Sequence, residues 1–131
     1  MVRNAAGCVI IKDNSILLLH RIDKDWWEVP GGKGEPGETL EQTAIRELKE
    51  ELLCDVRLVR KLGSTFFKAV KFDLDYTWFL AEIEGRQIPK IGVPREYDEF
   101  KFILLNKLKQ YKLSSSAKNL AIAIENGEVA L

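Results

Sequence analysis

Three glutamates, Glu47, Glu50 and Glu51, stand at spacings of three and four residues shortly after the glycine-rich stretch Pro30-Gly31-Gly32-Lys33-Gly34-Glu35-Pro36-Gly37. Carboxylates spaced this way on a helix repel one another and weaken it, so their clustering calls for a compensating charge. Oxygen donors suit magnesium, with manganese as the other choice, and such ions keep positions for water and for phosphate oxygens. The chemistry within reach is therefore metal-assisted work on a phosphate compound. A solvated acidic face is the commoner reading of an arbitrary Glu-rich helix. The glycine-rich loop running into this one argues against it.

A helix must carry the three acids, and its signals are present. Leu40, Ala44, Leu48 and Leu52 recur at every fourth position, Ile45 widens the stripe, and Thr39 with Gln42 forms a capping box. At about 100° per residue, the glutamates fall in an arc of roughly 100° that borders the apolar stripe. One face is core and the neighbouring one converges on a small acidic region.

From Gly32 there are five residues to Glu38 and seven more to Arg46-Glu47, then Leu48, one residue, and Glu50-Glu51. This pattern resembles the Nudix box, and Trp27-Glu28-Val29-Pro30-Gly31-Gly32 is similar to that family's usual approach to the loop. The departure lies at the end. Leu53 and Cys54 stand where the family has glycine and an aliphatic residue, and a glycine there normally permits a left-handed helix exit.

The resemblance implies an α/β fold of α+β type, an α/β/α sandwich with a mixed β-sheet between helices. It implies a magnesium-dependent pyrophosphohydrolase of the small MutT-like type. Its substrate would be a small-molecule nucleotide, a nucleoside diphosphate linked to a further phosphate or to a sugar, as in nucleoside triphosphates or ADP-ribose. Glu47, Glu50, Glu51 and the Gly32 carbonyl would hold metal, Arg46 would orient a glutamate, and Glu38 would be ligand or support. Glu47, Glu96 and Glu99 all qualify as general base. Arg21 and Lys33 are candidate phosphate contacts, with a surface arginine and a solvated lysine as the competing readings. Trp27 is the candidate for stacking on a base. A catalytically silent, nucleotide-binding sensor module is the second reading, and the intact charged set favours the enzyme. Homodimers are common in the family.

The rest of the chain supplies the scaffold. Residues 4–11 and 15–19 read as strands joined by Lys12-Asp13-Asn14, and their near-continuous apolar character implies cover on both faces. A strand over 56–62 ends at Gly63-Ser64, and segments 65–72 and 74–83 form a hairpin near Asp73. Residues 85–94 read as a loop able to rim the substrate, 104–111 as a short amphipathic helix, and Ser114 to Ser116 as the cap of a last helix stopping at Gly127. His20, the only histidine, reads as structural.

The 131 residues are expected to form a single domain, with 46% hydrophobic content for a core. Twenty basic and twenty acidic residues cancel, so nothing in the balance points to bulk nucleic acid or an anionic membrane. The start of the chain lacks a signal pattern and no stretch approaches the roughly 18 apolar residues of a membrane span, so the expected location is the cytoplasm. Cys8 and Cys54 read as buried free thiols.

Overall fold

The computed structural model describes residues 1–131. In chain order the strands are β1 (Val2–Val9), β2 (Ile11–Lys12), β3 (Ser15–Arg21), β4 (Trp26–Glu28) and β5 (Gly31–Lys33), followed by helix α1 (Leu40–Leu52). Then come β6 (Val56–Lys68), β7 (Asp73–Ile83), β8 (Tyr97–Leu104), a 3₁₀ turn (Leu105–Gln110) and helix α2 (Ser115–Glu125).

The mixed sheet runs β5-β1-β7-β6, with β1 and β7 parallel and the outer pairs antiparallel. A second, antiparallel sheet gathers β2, β4 and β8 around β3. Asp13 and Asn14 take φ of 51° and 60°, the left-handed pair that a two-residue hairpin loop requires. Alternation along β3 explains its unbroken apolar run. Ile16 and Leu18 join one core cluster with Trp78 of β7 and Leu120 of α2, whereas Leu17 and Leu19 join the other with Leu48 and Leu52 of α1. Both faces of the strand are covered, as its composition demands.

Helix α1 begins with both halves of the Thr39–Gln42 capping box in place and buries Ala44, Leu48 and Leu52. Ile45 departs from expectation, since it is exposed rather than part of the stripe. The glycine missing from the end of the box is replaced in conformation by Leu53, which adopts φ 55°, ψ 37° and donates its amide to the Lys49 carbonyl. A Cβ in that region costs about 1–2 kcal/mol. Leu53→Gly should therefore raise unfolding stability by about 1 kcal/mol, read as a shift of the urea midpoint at unchanged slope.

Residues 85–94 do not rim the cleft described below. They cap α1 instead: the Lys90 and Gly92 amides donate to the Leu52 and Glu51 carbonyls, each at 2.9 Å. Helix ends leave such carbonyls without partners, so a nearby loop with free amides is captured there. A Cβ on Gly92 would lie 2.0 Å from the Glu50 carbonyl oxygen, which leaves glycine as the residue that fits.

Two further expectations are modified. Strand β6 continues through Gly63-Ser64 as one 13-residue strand, with register shifts at Leu58/Arg60 and Lys61/Gly63 absorbing the irregularity. The 105–110 segment winds as 3₁₀ rather than α. His20 bridges Asp98 at 2.7 Å and Asp25 at 2.8 Å, and these bonds, Asp98 first, raise its pKa. Ser114 caps α2 by accepting from the Ala117 amide. Both cysteines are free and buried, and no helix is long and apolar enough to cross a membrane.

Candidate active site

Helix α1 packs on β1 and β5, which brings its acidic border against the loop glycines. At the centre is the Arg46 guanidinium. Its Nε donates to Glu38 Oε2 at 2.6 Å and its Nη2 to Glu38 Oε1 at 3.0 Å, a two-point clasp. The remaining hydrogens reach the Lys33 carbonyl at 3.0 Å, Glu47 Oε1 at 3.1 Å and Glu50 Oε1 at 3.2 Å. The Arg46 bonds, with help from the Glu35 amide, hold the Glu38 carboxyl down at about 2. Both Glu38 oxygens are thus engaged by Arg46. Arg46→Lys would leave a point charge where a planar fork spans four partners. It should cut turnover about tenfold, measured as kcat at saturating substrate.

Glu47 and Glu51 are the inward acids. The Glu51 side chain is buried; Oε1 accepts the Gly31 amide at 2.9 Å and Oε2 lies 3.4 Å from the Tyr97 hydroxyl. Burial pushes its pKa well above the ordinary range, and the nearby Glu47 charge pushes further. Burial also raises Glu47, while Arg46 pulls it back. Glu47 rests on Gly32 so closely that a Cβ there would stand 2.6 Å from its carboxyl carbon.

Glu50 differs from the convergent picture. Its side chain is 52% exposed and turned to Arg46, because a guanidinium four residues back is the nearest cation available to it. No three acidic, histidine or cysteine side chains are gathered closely enough to hold a metal ion in this arrangement. The donor chemistry nevertheless fits a divalent cation. Glu47 and Glu51 are oxygen donors; the Glu47 charge raises the pKa of Glu51, the Glu50 charge raises that of Glu47, and a hard dication relieves that repulsion.

Beside the two glycines opens a cleft of about 610 Å³. Arg21, Lys24, Trp26, Glu28, Gly31, Gly32 and Lys33 form one side, Phe67 to Val70 another, and Tyr76, Tyr97 and Ser114 to Ser116 complete it. Arg21 and Lys33, the candidate phosphate contacts, both line this cleft, Lys33 with its ammonium 4.6 Å from the Phe72 ring centroid.

Trp27 does not line the cleft. It packs on His20, with ring centroids 5.1 Å apart, and edge-on against Tyr111. Strand alternation is the reason: Trp26 and Glu28 share the cleft face of β4, and Trp27 points the other way. The cleft indole is Trp26. Glu96 and Glu99 are exposed, line no part of the cleft and make no side-chain hydrogen bond. The irregularity at His20/Arg21, where Asp98 is left unpaired in the ladder, separates Tyr97 from Glu99 along β8.

Glu28 and Tyr97 are cleft residues to which the sequence assigned no role. Tyr97 donates to Glu28 Oε2 at 3.0 Å, and Glu28 Oε1 accepts the Trp26 indole N–H at 2.6 Å. The i, i+2 spacing of Trp26 and Glu28 in a short strand was a usable signal for the first. None existed for Tyr97, which lies 46 residues beyond Glu51 in sequence.

The model of the NUDIX domain family matches residues 1–123. The chain belongs to the Nudix family. Among Nudix relatives it is 35% identical over 79 residues to a putative 8-oxo-dGTP diphosphatase of Bacillus subtilis (strain 168), covering 60% of this chain and 52% of that one. It is 48% identical over 50 residues to an ADP-ribose pyrophosphatase of Methanocaldococcus jannaschii, covering 36% and 30%. The chain thus spans about half the length of the first relative and less of the second. The fold matches the crystal structure of a MutT NUDIX hydrolase from Burkholderia pseudomallei with TM-score 0.83 at 24% identity, covering 92% of this chain and 96% of that one.

Proposed function

We propose that this Nudix protein is a pyrophosphohydrolase that cleaves a phosphoanhydride bond of a nucleoside diphosphate linked to another moiety, with magnesium as the working cation. The observation that carries the reading is the juxtaposition of the Arg46-ordered acids with a cationic cleft. Arg21, Lys24, Lys33 and Lys68 line that cleft against one carboxylate, Glu28, a balance that suits a polyphosphate.

Glu47, Glu50, Glu51 and the Gly32 carbonyl are the residues that would hold the cation, which neutralises charge on the phosphate oxygens and lowers the pKa of water. Glu47 is the base we assign, since its raised pKa brings it nearer the operating range of a proton acceptor. Arg21 and Lys33 bind the phosphates, and the Trp26 indole offers a stacking face to the base. Arg46 keeps Glu47 and the loop carbonyl of Lys33 in register. The names of the two relatives support a nucleoside triphosphate or an ADP-ribose-like compound as substrate. The chain would act as one domain, in the cytoplasm, on a small molecule.

The test is release of phosphate, pyrophosphate or nucleotide from nucleoside triphosphates, 8-oxo-dGTP, ADP-ribose, nucleotide sugars and dinucleoside polyphosphates, with magnesium and with chelator. Selective, magnesium-dependent release names the substrate class. Nucleotide binding without turnover across the panel would reassign the chain as a sensor module.

A further inference from the structure

Glu28 makes more directed contacts inside the cleft than any phosphate-binding role explains. Its side chain is 14% exposed. One oxygen accepts the Trp26 indole N–H at 2.6 Å and stands 3.6 Å from an Arg21 guanidinium nitrogen, and the other accepts the Tyr97 hydroxyl at 3.0 Å. Arg21 is held from its other side by Asp23 at 2.8 Å. An anion in a cleft meant for phosphates repels the ligand unless its charge is already spent on neighbours, and here each oxygen has a donor.

We propose that Glu28 is a specificity-determining positioning residue. It locks the Trp26 indole and the Arg21 guanidinium as preformed walls for the base and phosphates, and Tyr97 links those walls to Glu51. The proposal rests on the cleft being the nucleotide site. An indole has two side-chain rotations; with its N–H anchored, the ring keeps one plane and substrate need not order it on binding. Arg21, pinched between Asp23 and Glu28, is likewise ordered in advance. Tyr97 has one proton for two carboxylates, and the shorter contact goes to Glu28, so Glu51 retains acceptor capacity on Oε2. Glu28 acts through its neighbours, which places its effect on KM.

The experiment compares wild type, Glu28→Gln, Glu28→Leu, Trp26→Phe and the Glu28→Leu/Trp26→Phe double variant on whichever substrate wild type turns over, each checked for folding by thermal melting. Glu28→Leu should raise KM about tenfold with kcat within about threefold. Glu28→Gln, which keeps an acceptor for the indole, should recover part of that loss. The double variant should show little more than Trp26→Phe alone, because one residue works through the other. Full additivity overturns the proposal, as does a large fall in kcat at unchanged KM. Acrylamide quenching needs no ligand: the Trp26 contribution, taken by difference from Trp26→Phe, should become more accessible in Glu28→Leu and not in Glu28→Gln. Unchanged quenching overturns the proposal. If wild type turns over nothing, the hydrolase reading falls and quenching alone decides this one. Should Glu28→Leu fail to fold, Glu28→Ala, which also removes the acceptor, combined with Trp26→Phe gives the same cycle.

Discussion

Glu51→Gln should reduce turnover on the order of 10³-fold while making the metal-free protein more stable. The two effects have one cause. Glu51 is buried beside Glu47, and burial first, then the Glu47 charge, raises its pKa well above the ordinary value of 4.5. A folded state that binds the proton more tightly than the unfolded chain loses stability when that proton leaves. The contribution is complete below pH 4.5, the unfolded value, and disappears as pH climbs through the raised folded value. At neutral pH, above the unfolded value, Glu51 is therefore a standing cost in the absence of a cation.

Glutamine keeps the oxygen that accepts the Gly31 amide and removes the charge. In chelator at pH 7.5 the variant should melt roughly 3 °C or more above wild type, and the gap should narrow as the pH is lowered. Magnesium should raise the wild-type melting temperature more than that of the variant. A variant as active as wild type would remove Glu51 from the catalytic set, and a lower metal-free melting temperature would contradict the burial argument. Stability given up at a working site is the trade that function commonly requires.

Gly32→Ala should cost roughly 10²-fold in kcat. Gly32 is not at positive φ, so its backbone tolerates alanine and the effect is purely one of space. The added methyl carbon would lie 2.6 Å from the Glu47 carboxyl carbon and from one of its oxygens, and 2.8 Å from the other. The carboxylate must move by about the difference from an ordinary contact, close to 1 Å, and Arg46 would follow it. Misplacement on that scale by itself removes about two orders of magnitude. Steady-state kinetics would show the loss in kcat, and near-wild-type thermal melting would show that the fold is intact. Gly34 is the contrast, because a Cβ there meets the Thr43 hydroxyl at the looser distance of 3.2 Å, and alanine at 34 should be milder.

The box residues were legible because their constraint is local. Glu47, Glu50 and Glu51 sit on one helix, the capping box is four consecutive residues, and the apolar stripe declares which face is core. Period and spacing transmit directly into geometry when the element is a helix. The left-handed exit at Leu53 shows the limit of that reasoning: a missing glycine raised a doubt about the helix end, and the capping amides of Lys90 and Gly92, 38 and 40 residues after Leu52, accompany the turn that Leu53 makes without it.

The cleft was less legible. Which of two adjacent tryptophans faces substrate depends on the phase of a three-residue strand, too short to show a period. Glu96 and Glu99 read as base candidates because their stretch resembles the family's acidic segment before the last strand, yet the register irregularity beside them sends Tyr97 to the site and leaves both acids in solvent. The sequence by itself determined the family, the acidic helix face and the arginine that orders it, because those depend on neighbours within one or two turns. Only the tertiary structure decided the partners of Glu28 and Glu51, since strand pairing brings together residues dozens of positions apart and a one-residue change of register reverses every side chain.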